Sequence, residues 1–269
     1  MAEAGGTARV AAAFKAAADE GRAALMPYMM AGFPEPQAAA AIAAAYADAG
    51  ADLVEVGVPF SDPLADGPVI HAAATEALRR GARFETALDA VGALGDGVPA
   101  VVMCYANMVH ALGAERFAGR IAAAGAAGAI VPDLPLEEGS EVREALAAAG
   151  LASIPLVAPT SPAPRRREIC ATATGFVYVV SNVGTTGERE ELPAQLGDLV
   201  AAVKEEATVP VAVGFGIGTP EQAAAVGAIA DGVIIGSRLV RAAAEAGSAQ
   251  AAVTAVGDFL AATRAALAG

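Results

Sequence analysis

The chain has 269 residues, 55% of them hydrophobic and 17% charged, with Ala especially abundant. That composition excludes a disordered chain, and the length suits one large α/β domain. A formal net charge of −13 excludes a broad basic face for nucleic acid, so an anionic ligand would have to be held locally by backbone N–H groups and helix ends.

In chain order, a first helix is expected from about Val10 to Gly21, followed by the apolar run LMPYMM (25–30) as the first strand. A helix over 36–49 leads to the strand DLVEV (52–56), and a helix over 72–92 to AVVMC (100–104). Next come a helix over 114–124, the strand GAIV (128–131), a helix over 137–149 and the strand ASIPLV (152–157). A helix over 164–173 precedes GFVYVV (175–180), one over 193–206 precedes VPVAV (209–213), and one over 219–228 precedes DGVII (231–235). A last helix is expected over 237–264. Nearly continuous apolar runs suit parallel strands covered on both faces. Gly50, Gly125 and Gly150 follow Ala-rich runs as helix C-caps do. Eight β/α units without a composition break predict a single (β/α)8 TIM barrel over 1–269, with the extra N-terminal helix capping its bottom; a doubly wound open sheet is the alternative.

Cys104 and Cys170 fit no metal or redox spacing, and the simplest setting for them is a reduced cytoplasm. MAEAGGTARV has no basic segment followed by an apolar core, so no signal peptide is expected. Gly, Pro and polar residues interrupt every long uncharged stretch, so none reads as a membrane span.

In barrels of this kind the working face lies where strands end and βα loops begin. Glu55 sits near the end of the second strand and Asp66 in the loop after it; Tyr105 and Asn107 follow the third strand, Asp133 the fourth, and Tyr178 lies near the end of the sixth. A carboxyl buried among Leu53, Val54 and Val56 has its pKa raised and can serve as a general acid and base, although a structural ion pair would also account for it. Asp66, in PLADGP, taken alone reads as an ordinary Asp-Gly turn before it reads as catalytic, as does Asp62 before Pro63. Tyr28, Phe33, Phe60, Tyr105, Tyr178 and Phe215 fall near this face and could line a flat aromatic pocket. The only lysines, Lys15 and Lys204, lie in helices, which disfavours a Schiff-base mechanism. His71 and His110 belong to no cluster with metal-ligand spacing, so no metal is expected.

The late loops read together. GTTG (184–187), GFGIG (214–218) and Gly236-Ser237 follow the sixth, seventh and eighth strands, where barrels often bind phosphate through backbone N–H groups and a short helix start. The residues alone thus suggest a barrel enzyme with a buried Glu, a nearby Asp and a phosphate-ester site.

EVGVPFSDPLADGPVI (55–70) resembles the signature of the tryptophan synthase alpha chain family, and the likeness continues through PYMMAGFP (27–34), YANMV (105–109), VPDLPLEE (131–138), APTSP (158–162), GFVYVVSNVGTTG (175–187), VPVAVGFGIGTPEQ (209–222) and DGVIIGS (231–237). The resemblance implies a lyase that cleaves indole-3-glycerol phosphate to indole and glyceraldehyde 3-phosphate in tryptophan biosynthesis. It puts the acid/base glutamate on Glu55, the aspartate facing the indole N–H on Asp66, and a positioning tyrosine on Tyr178. Phosphate contacts fall on Gly187, Gly216, Gly236 and Ser237, and Tyr28, Tyr105, Thr186 and Phe215 join the substrate-binding set. The partner implied is a tryptophan synthase beta chain in an α2β2 tetramer, with pyridoxal phosphate on that partner only and no cofactor on this chain. Loops near Asp62 and Thr186 are expected to close on substrate and to communicate with the partner. Thr185, His71 and Met108 depart from the family pattern, and Asn182 and Met30 sit near variable or polar positions, which bears on loop closure more than on the reaction. A stand-alone lyase, or a non-catalytic barrel that activates a beta chain, are the other readings.

Overall fold

The computed structural model describes residues 5–180, 195–214 and 216–269. Asn182, Thr185, Thr186, Gly187 and Phe215 lie outside the described residues. The strands are β1 (Ala24–Met30), β2 (Val54–Gly57), β3 (Ala100–Met103), β4 (Ala126–Ile130), β5 (Ala152–Ser153), β6 (Leu156–Val157), β7 (Val177–Val180), β8 (Val211–Gly214) and β9 (Gly232–Ile235). All pairings are parallel, in the order β5-β4-β3-β2-β1-β9-β8-β7-β6.

The expected fifth strand is present in two halves. Ile154 N–H donates to the Ala129 carbonyl on the β4 side, while Tyr178 N–H donates to the Pro155 carbonyl on the β7 side. Pro155 has no N–H to give to a ladder. The run 152–157 therefore passes its pairing from one neighbour to the other, and the barrel closes through this stretch of chain. The eight β/α units of the sequence reading become a (β/α)8 barrel, not an open doubly wound sheet.

The first helix, α1 (Gly6–Asp19), plugs the bottom of the barrel. Its buried Val10, Phe14 and Ala17 join the inward-facing Met26, Leu53 and Val101 in one cluster. Phe14 meets Phe176 with ring centroids 5.5 Å apart. Two glycines admit the helix: a Cβ at Gly6 would lie 2.4 Å from the Ala127 carbonyl oxygen, and one at Gly232 would lie 2.8 Å from the Phe14 ring. The outward-facing residues of the same strands, such as Val54, Val56 and Val102, form a second cluster under the surrounding helices. Burying both faces is what makes these strands read as continuous apolar runs.

The helices α2 (Ala39–Asp48), α6 (Ala114–Ala123), α7 (Ser140–Ala148), α8 (Ala163–Thr172), α9 (Leu196–Glu206) and α10 (Pro220–Gly227) fall where expected. Three differences appear. The helix expected over 72–92 is two, α3 (Pro68–Arg79) and α4 (Phe84–Leu94), because Gly81 adopts φ +86° between them. The last helix is also two, α11 (Ser237–Glu245) and α12 (Ala249–Leu267), separated by Gly247 at φ +72° and restarted by Ser248, whose hydroxyl accepts the Ala251 N–H. A short helix not anticipated, α5 (Ala106–Leu112), follows β3. Among the described residues, no helix is long and apolar enough to cross a membrane.

Candidate active site

The period-2 alternation of β2 decides where its acid points. Leu53 faces the interior and Val54 and Val56 the helices, so Glu55 faces the interior, where it is 2% exposed. On the neighbouring strand, Tyr28 is the register partner of Glu55 and is also buried. Tyr178 enters from β7 on the other side. Each tyrosine lies across a glycine of the adjacent strand: a Cβ at Gly57 would sit 2.0 Å from the Tyr28 hydroxyl, and one at Gly214 would sit 2.1 Å from the Tyr178 hydroxyl. Gly57 and Gly214 are thus required by the two phenols, and nothing short of the three-dimensional pairing reveals it.

These groups open on one pocket of about 660 Å³, open solvent at its mouth included. Glu55, Asp66, Tyr28 and Tyr178 line it together with Gly216, Gly236 and Ser237. The walls not singled out in the sequence are apolar, chiefly Ile70, Met103, Leu156, Ile217 and Ile234. Met103, Leu156 and Ile234 could have been found as inward positions at the C-terminal ends of strands, had the strand phase been carried round the barrel. Among the described residues, the pocket has no lysine or arginine in its lining. Lys15 and Lys204 lie instead at the bottom of the barrel, around a groove that also holds Arg22. Phe33 packs half-buried against the Tyr28, Met30 and Ile70 cluster instead of lining the pocket.

Electrostatics separate the two carboxyls. Burial, reinforced by the Asp66 carboxylate, pushes Glu55 up to about 8. Its Oε2 has no hydrogen-bond partner among the described residues. Among the described residues no lysine or arginine pairs with Glu55, so an ion pair does not account for this buried acid there. Asp66 is pushed by burial to about 6, against the influence of the Tyr105 hydroxyl and of His71, which both pull it down. Burial also carries the Tyr28 and Tyr178 phenols well above their ordinary value, so they stay protonated.

Tyr105 reaches the site through the loop after β2. Its hydroxyl accepts the Ala65 N–H at 3.1 Å, beside Asp66, whose carboxylate it is near enough to stabilise, and its ring stacks on Phe60 with centroids 5.2 Å apart. Asp66 is therefore more than a self-contained turn residue, although its N–H does bond the Pro63 carbonyl at 3.4 Å. Asp133, from the loop after β4, accepts the Ala106 N–H at 2.7 Å. On the opposite wall, Gly216 takes φ +81°, open to glycine at little cost, and Gly236 precedes the first turn of α11. Helix geometry leaves the N–H groups ahead of Leu239, whose own N–H bonds the Gly236 carbonyl at 2.9 Å, without an intrahelical acceptor, and they lie at the pocket lining of Gly236 and Ser237.

A family model described as tryptophan synthase alpha chain matches residues 14–266. The chain belongs to the tryptophan synthase alpha chain family. The alpha chain of Carboxydothermus hydrogenoformans is 46% identical over 234 residues, covering 86% of this chain and 88% of the relative. That of Gloeobacter violaceus is 46% identical over 236 residues, covering 87% and 86%. Among solved structures, a chain of Mycobacterium tuberculosis tryptophan synthase superposes with a TM-score of 0.90 at 38% identity, covering 96% of this chain and 98% of that one. The barrel and the enzyme role in tryptophan synthesis expected from the resemblance hold.

Proposed function

We propose that this alpha chain is a lyase cleaving indole-3-glycerol phosphate to indole and glyceraldehyde 3-phosphate, with Glu55 as acid and base and Asp66 as the group that stabilises positive charge on the indole ring. The observation that carries the reading is one apolar pocket holding two carboxyls of separated pKa, about 8 for Glu55 and about 6 for Asp66. Near neutrality that pair supplies a proton donor and an anion at once, the division of labour that acid–base chemistry requires.

Cleavage begins with proton transfer from the Glu55 carboxyl to indole C3. The ring becomes cationic, with charge concentrated at the ring nitrogen. The Asp66 carboxylate facing the N–H stabilises that charge in a largely apolar site. The Glu55 carboxylate then takes the proton from the hydroxyl on the carbon attached to C3. As the carbonyl forms, the carbon–carbon bond breaks and its electron pair returns to the ring, restoring neutral indole. Glu55 ends protonated, as it began, and no external acid, base or cofactor is consumed.

Tyr28 and Tyr178, with the aliphatic wall, would hold the flat indole. Gly216, Gly236 and Ser237 would hold the phosphate through backbone N–H groups at the start of α11, an arrangement that suits an acidic chain. Thr186, Gly187 and Phe215 remain part of the proposed binding set. We place the chain in the cytoplasm as one barrel domain over 1–269, working with a tryptophan synthase beta chain in an α2β2 tetramer. Pyridoxal phosphate would reside on that partner and no cofactor on this chain. The solved relatives from tryptophan synthase support the partnership. The test is product stoichiometry: purified chain given indole-3-glycerol phosphate should release indole and glyceraldehyde 3-phosphate in equal amounts. Indole without the triose phosphate, or neither product with a beta chain present, would exclude the reaction.

A further inference from the structure

We propose that Asp133 is a positioning residue: by capping α5 from the loop after β4 it fixes Tyr105, and through Tyr105 it fixes the carboxylate of Asp66. The inference rests on the role given to Asp66 above, but its geometry stands independently. Asp133 Oδ1 accepts the Ala106 N–H at 2.7 Å, across 27 residues of sequence. Tyr105 occupies the N-cap position of α5, and its own side chain makes no cap bond. The helix start therefore takes its side-chain acceptor from another loop, and helix starts without one fray.

What hangs on that start is the tie to the loop after β2. The Tyr105 ring stacks on Phe60, its hydroxyl accepts the N–H of Ala65 at 3.1 Å, which holds the backbone next to Asp66, and the hydroxyl helps keep the Asp66 carboxyl down. Burial is what chiefly pushes the Cys104 thiol and the Tyr105 phenol up, and the Asp133 charge lies close enough to add to both. Three successive βα loops are thus linked in one chain of contacts, with Asp133 at one end and Asp66 at the other. The groups that act on Asp66, or that it acts on, are Tyr105 after β3, His71 on α3, Glu55 on β2, Tyr28 on β1 and Tyr178 on β7. Of these, only the Tyr105 contact runs through the cap at Asp133.

The test is a carbon-13 carboxyl titration of the ligand-free chain by NMR, with the Asp66 signal assigned from Asp66→Asn. Tyr105→Phe removes the hydroxyl that holds Ala65 and helps keep the Asp66 midpoint down, so the midpoint should rise. Asp133→Ala should raise it in the same direction. Asp133→Asn keeps an oxygen acceptor for the Ala106 N–H and should titrate like wild type. Asp133→Ala/Tyr105→Phe should shift no further than Tyr105→Phe. In turnover, Asp133→Ala should lose about tenfold in kcat with a smaller change in KM, and its acid limb should move to higher pH. A wild-type Asp66 midpoint in folded Asp133→Ala, or additive shifts in the double variant, would overturn the relay. Should Asp133→Ala not fold, a raised midpoint in Asp133→Asn would overturn it instead. A wild-type chain that cleaves nothing, yet shows these titration shifts, would sink the lyase reading and leave the relay standing.

Discussion

Glu55→Gln should make the protein more stable as pH rises while removing its activity. The Glu55 carboxyl titrates at about 8 in the folded chain against an ordinary 4.5. Below 4.5 both folded and unfolded chains carry the proton, and the raised value costs nothing. Between 4.5 and 8 the folded chain keeps a proton that the unfolded chain gives up, so stability falls with rising pH, and above 8 the loss is complete. Between pH 5 and pH 8 the wild type should therefore lose roughly 3 to 4 kcal/mol through this group alone, at about 1.4 kcal/mol per unit of pKa difference. Glutamine does not titrate, so Glu55→Gln should lack this part of the slope and keep the smaller part due to Asp66. Urea unfolding at pH 5, 6.5 and 8, on both proteins, measures the difference directly. Parallel stability curves would refute the assignment of Glu55 as a neutral buried acid, and with it the proton donor of the proposed reaction.

The kcat/KM profile of the wild type should be bell-shaped, with limbs near 6 for Asp66 and near 8 for Glu55, and Asp66→Asn should lose the acid limb; a flat profile across that range would contradict the assignment. Gly214→Ala would place a methyl carbon 2.1 Å from the Tyr178 hydroxyl, so it should displace the ring and lower kcat/KM by about tenfold or more, measured against the milder Gly236→Ala, whose Cβ meets nothing nearer than 3.7 Å. Arg22→Ala would strand the partly buried Asp52, which the buried Arg22 holds at 2.5 and 2.7 Å, and should cost about 3 kcal/mol in urea unfolding while leaving activity per folded molecule unchanged.

Much of this molecule can be read from its residues because both faces of each strand are buried. Continuous apolar runs at 25–30, 100–104 and 232–235 mark strands, and Glu55 stands out because a carboxyl interrupts such a run. The acid and the aspartate come together because βα loops gather at one end of a barrel. Breaks in helices were legible in principle: Gly81 and Gly247 both take positive φ, but an Ala-rich background lets a helical pattern run through a glycine. The split at Ile154-Pro155 needed knowledge of which neighbour each half pairs with. Asp133 was visible as a polar residue after the fourth strand, yet its acceptor role depends on a backbone N–H that only becomes free where α5 begins. The fit of Tyr28 over Gly57 and of Tyr178 over Gly214 is likewise a cross-strand fact, invisible along either strand alone.

The most direct test of the central claim is single-turnover release of indole from indole-3-glycerol phosphate by wild type and Glu55→Gln, each with and without a tryptophan synthase beta chain. Wild type should release indole, faster with the partner, and Glu55→Gln should be slower by about 10² or more under both conditions while still folding and binding the partner. Equal rates for the two proteins would contradict the account, because the buried acid would then take no part in breaking the carbon–carbon bond.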